Sequence, residues 1–154
     1  MLTKRTGYAI LALACLSDRD DQWILVQEIA ARTDVPKPYL HKILHALGKN
    51  GVIRTKRGYR GGMALARPAS EISLWDLVDA VEGLAWAQRC MLGLAECSAE
   101  RACATHEFWA AERKEIEAKL KQISLAEVAE FEGRERGRLK SLDEVKKILE
   151  QSQT

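Results

Sequence analysis

Apolar residues recur at helical spacing through the first third of the chain, with polar breaks between the periodic stretches. The pattern predicts a first helix over residues 3–17, which opens at Thr3 and ends at a polar run over residues 17–21. A second helix is predicted over residues 26–32, where apolar side chains follow the i, i+3, i+4 spacing of one helix face from Val26 onward. Both helices are therefore expected to bury one face in a shared core.

A third helix is predicted to begin near Pro36 and to run to about Lys49. Pro36 and Pro38 stand where the first turn of a helix tolerates a missing N–H group, and Gly51 is placed to end the helix. Its apolar side chains fall on one face: Leu40, Ile43, Leu44 and Leu47. The opposite face carries polar and aromatic side chains: Lys37, Tyr39, His41, Lys42 and His45.

Two short strand-like runs follow the third helix, over residues 52–56 and 63–66. The loop between them holds three glycines around Arg57 and Arg60, which predicts a tight basic hairpin. Helix, turn, helix and then a basic hairpin is the sequence form of a winged helix-turn-helix, whose third helix enters the major groove of DNA. The alternative is a helical pair packed on a ribbon that binds no ligand.

The second half of the chain predicts three further helices. Ser73 begins a capping box for a helix that ends at Gly83, and Ser124 begins another for a short helix ending near Phe131. Between them, residues 105–123 are predicted to form a longer helix with an apolar stripe that consists of Trp109, Ile116, Leu120 and Ile123. A second copy of this helix is the economical cover for the stripe, and packing on the chain's own first helix is the alternative.

These elements predict a mainly α fold with a small β-hairpin wing, a winged helix-turn-helix followed by a long dimerisation helix. We expect a DNA-binding domain over residues 1–68 and a cluster-binding loop with the dimerisation helix over residues 69–131. Residues 132–154 are expected to form a charged linker and a marginal last helix.

Charge is distributed unevenly along the chain, although its net charge is only +2. Residues 1–68 hold 12 Lys and Arg against 5 Asp and Glu, while residues 69–154 hold 12 against 17. The run from Lys49 to Arg67 contains six cations and no acid, which indicates an anionic partner such as nucleic acid over a merely solvated face. Double-stranded DNA contacts are predicted for six side chains: Lys37, Tyr39, His41, Lys42, Arg57 and Arg60.

The N-terminus resembles a secretory signal peptide in one respect, because Lys4 and Arg5 precede an apolar run. That run is only nine residues long and alanine-rich, so an amphipathic first helix explains it better. The sequence predicts a soluble, cytoplasmic protein with no membrane partner, and thiols there stay reduced. It contains neither a glycine-rich phosphate loop nor a nucleophile–base motif, so we expect a protein that is not an enzyme.

Cys90, Cys97, Cys103 and His106 lie within seventeen residues, whereas Cys15 lies in the apolar first helix and is expected to be core. The spacing C-x6-C-x5-C-x2-H indicates a set of metal ligands over unconnected cysteines, because thiolates are costly to hold together unless bound or oxidised. Three soft sulfurs and an imidazole suit an iron–sulfur cluster or zinc. The tight C-x2-C knuckle of zinc sites is missing, which favours the cluster.

Taken together, these motifs resemble the bacterial iron–sulfur cluster regulators of the IscR type, a family that includes NsrR and RirA. The resemblance covers about residues 2–131 and rests on the R-G-x-x-G-G wing, the segment P-A-S-E-I-S-L-W-D-L-V and the three-cysteine loop. It implies a homodimeric transcription factor whose dimer interface is the helix over residues 105–123. It also implies a cluster held by the three loop cysteines.

The fourth ligand separates members of that family. His106 stands at the position of the histidine that completes a 2Fe–2S site in the IscR pattern, whereas the nitric-oxide sensors use an acid near the N-terminus, where this chain has Tyr8. Tyr8 and His106 therefore predict ligation of the IscR kind and favour a 2Fe–2S cluster. The first cysteine gap departs from that pattern, with six residues instead of five, and the wider family includes 4Fe–4S members, so 4Fe–4S is the alternative. The alternative for His106 is a histidine that caps the helix start or faces solvent.

Three classes of function follow from the sequence. The leading hypothesis is a cluster-dependent transcriptional regulator that senses iron, cluster or redox and nitrosative status. A small electron-transfer protein and a zinc-stapled interaction module are the alternatives. DNA binding distinguishes the regulator from the electron-transfer protein. The brown colour of an iron–sulfur cluster distinguishes both from the zinc-stapled module.

Overall fold

A computed structural model describes residues 2–17, 22–33, 35–83, 89–93 and 97–134, without the side chain of Arg101. The first three helices are α1 (Lys4–Ser17), α2 (Val26–Thr33) and α3 (Lys37–Lys49), in agreement with the predicted elements. Gly51 takes a φ of 69°, and the two amides after Asn50 bond back to the last turn of α3, so the helix ends where the glycine predicts.

The two predicted strands form an antiparallel hairpin of β1 (Ile53–Lys56) and β2 (Gly62–Leu65). Each lies within a residue or so of its predicted bounds. An extended segment joins the hairpin at its inner edge, because Ile24 and Met63 exchange backbone hydrogen bonds of 2.9 and 2.8 Å. A Cβ atom on Gly62 would approach the Ile24 carbonyl oxygen to 2.7 Å, so this close pairing requires glycine. The sequence pattern did not predict the contact.

Both predicted capping boxes are present in the second half. Ser73 begins α4 (Leu74–Glu82), with its hydroxyl and the Asp76 carboxylate each bonding the other's backbone N–H. After α5 (His106–Gln122), Ser124 and Glu127 make the same exchange at the start of a helix at 125–134, α6. This last helix continues past the predicted end near Phe131, with Glu130 and Arg134 paired one turn apart.

One buried cluster joins these elements into a single core. Its largest buried side chains come from α1, α2, α3, α4 and α6, among them Leu13, Ile29, Leu44, Leu77 and Leu125, each at most 1% exposed. Burying a leucine of this kind stabilises the fold by about 1.5–3 kcal/mol. Cys15 is also fully buried, as expected for a core thiol. The core crosses position 68, so α4 packs directly on α1 and α3.

Helix α5 lies at the edge of this core. Ile116 and Leu120 pack partly against it, and α5 contacts α4, where Lys121 sits 5.3 Å from the ring centre of Trp75. The chain thus covers part of the predicted apolar stripe itself, mainly through α4. None of the 17 residues of α5 is buried. The mainly α fold with a two-stranded hairpin is confirmed, and the segments beyond residue 134 lie outside the described residues.

Candidate nucleic-acid interface and cysteine site

The outer face of α3 exposes all four of its predicted DNA-contacting side chains. Leu40, Ile43, Leu44 and Leu47 are buried on the opposite face, so the amphipathic pattern alone fixes which side faces outward. Lys37, His41 and Lys42 are exposed, and Tyr39 is 58% exposed. The Tyr39 ring meets Tyr8 of α1 edge to face, with centroids 6.3 Å apart, which anchors the tyrosine at one border of the face.

The wing presents Arg57 and Arg60 on a tight turn. Gly58 has a φ of 89°, the Gly61 N–H donates to the Gly58 carbonyl at 2.9 Å, and a Cβ on Gly61 would lie 2.4 Å from the Lys56 carbonyl oxygen. Only glycine fits such an approach. Arg60 has a φ of 56° and stands 5.5 Å from the ring centre of Tyr59, which is 88% exposed. The turn therefore projects two guanidinium groups and one aromatic ring into solvent.

Trp23 supports the outer strand of the wing, and the sequence analysis missed it. The guanidinium carbon of Arg54 lies 5.2 Å and the ammonium nitrogen of Lys56 5.8 Å from its ring centre. Cations over an indole face are held by the ring quadrupole. Trp23 precedes Ile24, the residue that pairs with β2, so the same backbone segment positions both the hairpin and two of its cations.

A groove beside α3 holds two further cations that the sequence analysis did not select. Arg5 at the start of α1 and Lys49 at the end of α3 line it together with Lys42 and His45. No local pattern brings Arg5 to α3, because the contact depends on how α1 packs across that helix. The only sequence signal for additional cationic contacts was the excess of Lys and Arg over Asp and Glu in residues 1–68.

Two of the predicted cluster ligands lie in direct contact. Cys97 Sγ lies 3.2 Å from His106 Nδ1, at the start of α5. Hydrogen bonds from the Thr105 hydroxyl and backbone N–H hold the pKa of Cys103 below its usual range, and the Cys90 thiol adds a further bond. Cys103 Sγ is 3.3 Å from Thr105 Oγ1. All three loop thiols are free and partly exposed.

The predicted ligands do not form a single-ion site. Across the described residues, no three His, Cys, Asp or Glu side chains converge on a position suited to one metal ion. The donors themselves, three thiols and an imidazole, are of the soft type that both iron–sulfur clusters and zinc take. The donor types therefore fit either group.

Glu82 at the end of α4 connects α4 to the start of α1. Its Oε1 accepts hydrogen bonds from the Thr3 hydroxyl and N–H and from the Thr6 hydroxyl, at 2.5, 3.2 and 2.6 Å. Burial raises the pKa of Glu82, but the bonds from Thr3 and Thr6 and the charge of Arg89 outweigh it, and the pKa lies below its usual range. Arg89 immediately precedes Cys90, so this carboxylate adjoins both the cysteine site and the start of α1.

Trp109 adds a second contact to the same segment. Its indole N–H donates to the Arg89 carbonyl at 2.9 Å, which ties α5 to the chain just before Cys90. No helix in the described part of the chain is long and apolar enough to cross a membrane.

Comparisons with known proteins agree with these features. A family model described as Rrf2, iron-dependent transcriptional regulator, matches residues 2–130. Protein aau3 of Rhizobium meliloti is 36% identical over 118 residues, which span 76% of this chain and 75% of that protein. The HTH-type transcriptional regulator IscR of Serratia proteamaculans is 30% identical over 128 residues, 82% of this chain and 77% of the relative.

Solved structures share the fold. IscR of T. potens matches with a TM-score of 0.63 at 24% identity, over 82% of this chain and 83% of that one. CymR, the global cysteine regulator of B. subtilis, matches with a TM-score of 0.67 at 19% identity, over 85% and 97%. Both likenesses extend from the winged domain into the second half of the chain.

Proposed function

The chain belongs to the Rrf2 family of transcriptional regulators, and from that premise we propose that it binds operator DNA as a homodimer under the control of an iron–sulfur cluster. The signal is iron, cluster or redox and nitrosative status. The family model and the IscR relative are both described as transcriptional regulators, in agreement with the prediction of a protein that is not an enzyme. This function requires residues that bind DNA, residues that bind the cluster, and contacts through which the state of the cluster changes DNA affinity.

DNA recognition is assigned to α3 and the wing. The face of α3 with Lys37, Tyr39, His41 and Lys42 would enter the major groove, where side chains near the start of the helix reach base edges. Arg57 and Arg60 would follow the minor groove or backbone from the wing tip. Exposure of all six side chains and an acid-free charge run support the assignment.

The cluster is assigned to Cys90, Cys97, Cys103 and His106. The observation that carries this proposal is the contact of Cys97 with His106, whose Sγ and Nδ1 atoms lie 3.2 Å apart. A histidine in the ligand set is the feature of the IscR pattern that favours 2Fe–2S over 4Fe–4S. When bound, such a cluster would supply redox-active iron, and its loss would free the three thiols and the imidazole.

The residues around the site would then carry its state to the DNA face. A bound cluster would hold the loop cysteines in place, and Arg89, which precedes Cys90, would then stay near Glu82. Glu82 in turn accepts hydrogen bonds from Thr3 and Thr6 at the start of α1. A freed loop withdraws Arg89 from that contact. Cluster occupancy can change DNA affinity only by the difference in its own affinity for the two arrangements.

Dimerisation is assigned to α5. A helix of 17 residues without one buried side chain is unusual in a folded protein unless a partner covers it. The partner proposed is the α5 helix of a second copy. Two recognition helices then lie about 34 Å apart, one DNA turn, so the operator is expected to be a near-palindrome.

The decisive experiment reconstitutes the protein with iron and sulfide without oxygen and measures iron, sulfide, absorption spectrum and affinity for duplexes selected from a random pool. We expect Cys90→Ala, Cys97→Ala and Cys103→Ala each to abolish the chromophore, and His106→Ala to weaken or shift it. Cys15→Ala is the matched control, because Cys15 is buried in α1 and should leave the cluster intact.

A full-strength cluster in Cys97→Ala would contradict the ligand assignment. Zinc without iron in the purified protein would favour the interaction module, and a cluster without any DNA binding would favour the electron carrier. If the protein is colourless and its DNA affinity changes when its thiols are oxidised, the cysteines themselves sense the signal and the proposed cluster is wrong.

A further inference from the structure

A groove of about 470 Å³ runs between the start of α1 and the outer face of α3. Its floor is apolar, formed by Ile43, Ala46 and the ring of Tyr39. Its rim carries Arg5, Lys42, His45 and Lys49, with Asn50 at one end. The groove lies outside the cysteine site. It shares Tyr39 and Lys42 with the face assigned to DNA above and adds Arg5 of α1 and Lys49 at the end of α3.

The rim of the groove is cationic and contains no acid. Arg5, Lys42 and Lys49 bring three permanent positive charges, and in the described part of the chain none of them forms an ion pair with a carboxylate. Four other cations of the described part do form ion pairs: Arg32 with Glu28, Arg67 with Asp76, Lys121 with Glu117 and Arg134 with Glu130. Unpaired cations around one groove indicate an anionic partner that comes from outside the chain.

Two details narrow the chemistry of that partner. The Asn50 amide already donates to the Ala46 carbonyl at 2.9 Å and to the Ala80 carbonyl at 3.4 Å, so the long cationic side chains alone would hold the anion. Lys42, His45 and Lys49 follow one another at i, i+3 and i+7 and therefore form one stripe along α3, with Lys42 and Lys49 about 10 Å apart along the axis. An open groove edged by flexible cations suits an extended polyanion better than a small enclosed anion.

We propose that this groove holds the DNA backbone, with Arg5 and Lys49 each contacting a phosphate beside the segment whose bases α3 reads. The proposal rests on the DNA-binding function proposed above and deepens it. Lys42 lies both on the recognition face and in the groove, so the phosphate contacts continue the interface without a gap. Arg5 extends that interface onto α1, whose first turn is held by Glu82.

The test measures binding to a short fluorescein-labelled random-sequence duplex over a series of salt concentrations. Each lost phosphate contact lowers the slope of log affinity against log salt by about 0.9. We expect Arg5→Ala and Lys49→Ala each to reduce the slope by that amount on random and selected duplexes alike, whereas Arg5→Lys and Lys49→Arg keep it. Arg134→Ala is the matched control, since Arg134 is an exposed cation of α6 that lies outside the groove and outside the proposed dimer helix.

The outcomes separate this proposal from the function it rests on. If the unmodified protein shows no salt-dependent DNA binding, the proposed function fails. If it binds DNA but Arg5→Ala and Lys49→Ala keep its slope, the groove assignment fails alone. Exchange of chloride for inorganic phosphate at equal ionic strength is the last arm. A saturable response to phosphate that Lys49→Ala removes, without a change in DNA slope, would identify a small-anion site and overturn the proposal.

Discussion

Arg60 occupies a backbone conformation that disfavours its own side chain. Its φ of 56° lies in the left-handed region, which costs a residue with a Cβ atom about 1–2 kcal/mol. Glycine would avoid that cost, and the same turn already uses glycine at Gly58 and Gly61. An arginine kept at such a position is best explained by what its charge does outside the fold, which is contact with DNA in the proposed function.

This conflict gives a prediction at the scale of one residue. We expect Arg60→Gly to be more stable than Arg57→Gly by about 1 kcal/mol, because only the first relieves the left-handed conformation. Both variants should weaken DNA binding and lower the salt slope by about 0.9 per contact. Urea denaturation and fluorescence anisotropy check the two parts. Equal stabilities, or an Arg60→Gly variant that binds DNA like the unmodified protein, would refute the interpretation.

Helix α1 is held at its first turn by an element far away in the sequence. Thr3, just before α1, and Thr6 in its first turn both donate hydrogen bonds to the Glu82 carboxylate at the end of α4. Because Glu82 ionises more readily in the folded state, its contribution to stability is present at neutral pH. It is lost as the pH falls below the usual range of a glutamate and through the lowered pKa.

We therefore expect Glu82→Gln to lower the free energy of unfolding by about 1 kcal/mol at neutral pH, a charged hydrogen-bond value discounted for the partial exposure of the carboxylate. The difference between variant and unmodified protein should shrink in acid, where Glu82 is itself protonated. Glu112→Gln on the exposed surface of α5 is the control. A deficit that stays constant from neutral to acid pH would show that the charge of Glu82 is not the cause.

The elements themselves were largely predictable, because their signals are local. Proline and glycine mark both ends of α3, and Ser73 and Ser124 begin helices through capping boxes that lie within four residues of sequence. The pairing of Ile24 with Met63 and the bond from Thr3 to Glu82 were not predicted. Such contacts depend on how the helices pack against one another, and the spacing of residues along the sequence does not predict that packing. The same reason explains why Arg5 and Trp23 were missed at the interface.

At the scale of the whole molecule, one core carries both candidate sites. The buried cluster runs from α1 through α4 to α6, and the cysteine site joins α4 to α5 at its edge. Helix α5 remains the least covered element, with Phe108 57% exposed near its start. If a second copy covers α5, the cysteine site lies at the base of the dimer contact, where its state can alter the spacing of two DNA-binding faces.

We expect Phe108→Asp to convert the dimer to a monomer without a large loss of thermal stability, because Phe108 is exposed and lies outside the core of its own chain. Ile116→Asp is less informative, since Ile116 also packs partly against that core. Sedimentation velocity measures the change in mass, and Phe131→Asp is the control, as an equally exposed phenylalanine on α6. A Phe108→Asp protein that still sediments as a dimer would move the interface away from the start of α5.

The hydrogen bond from Trp109 to the Arg89 carbonyl has a practical consequence. It places an indole on α5 next to the residue that precedes Cys90, three positions beyond His106. Indole emission responds to loss of a hydrogen bond and is quenched by a nearby absorbing group. In a variant that keeps Trp109 as its only tryptophan, with Trp23, Trp75 and Trp86 replaced by phenylalanine, this indole is an optical reporter at the junction of the cysteine site and α5. Loading and loss of a chromophore can then be followed by its fluorescence, without a label, while DNA is titrated in the same cuvette.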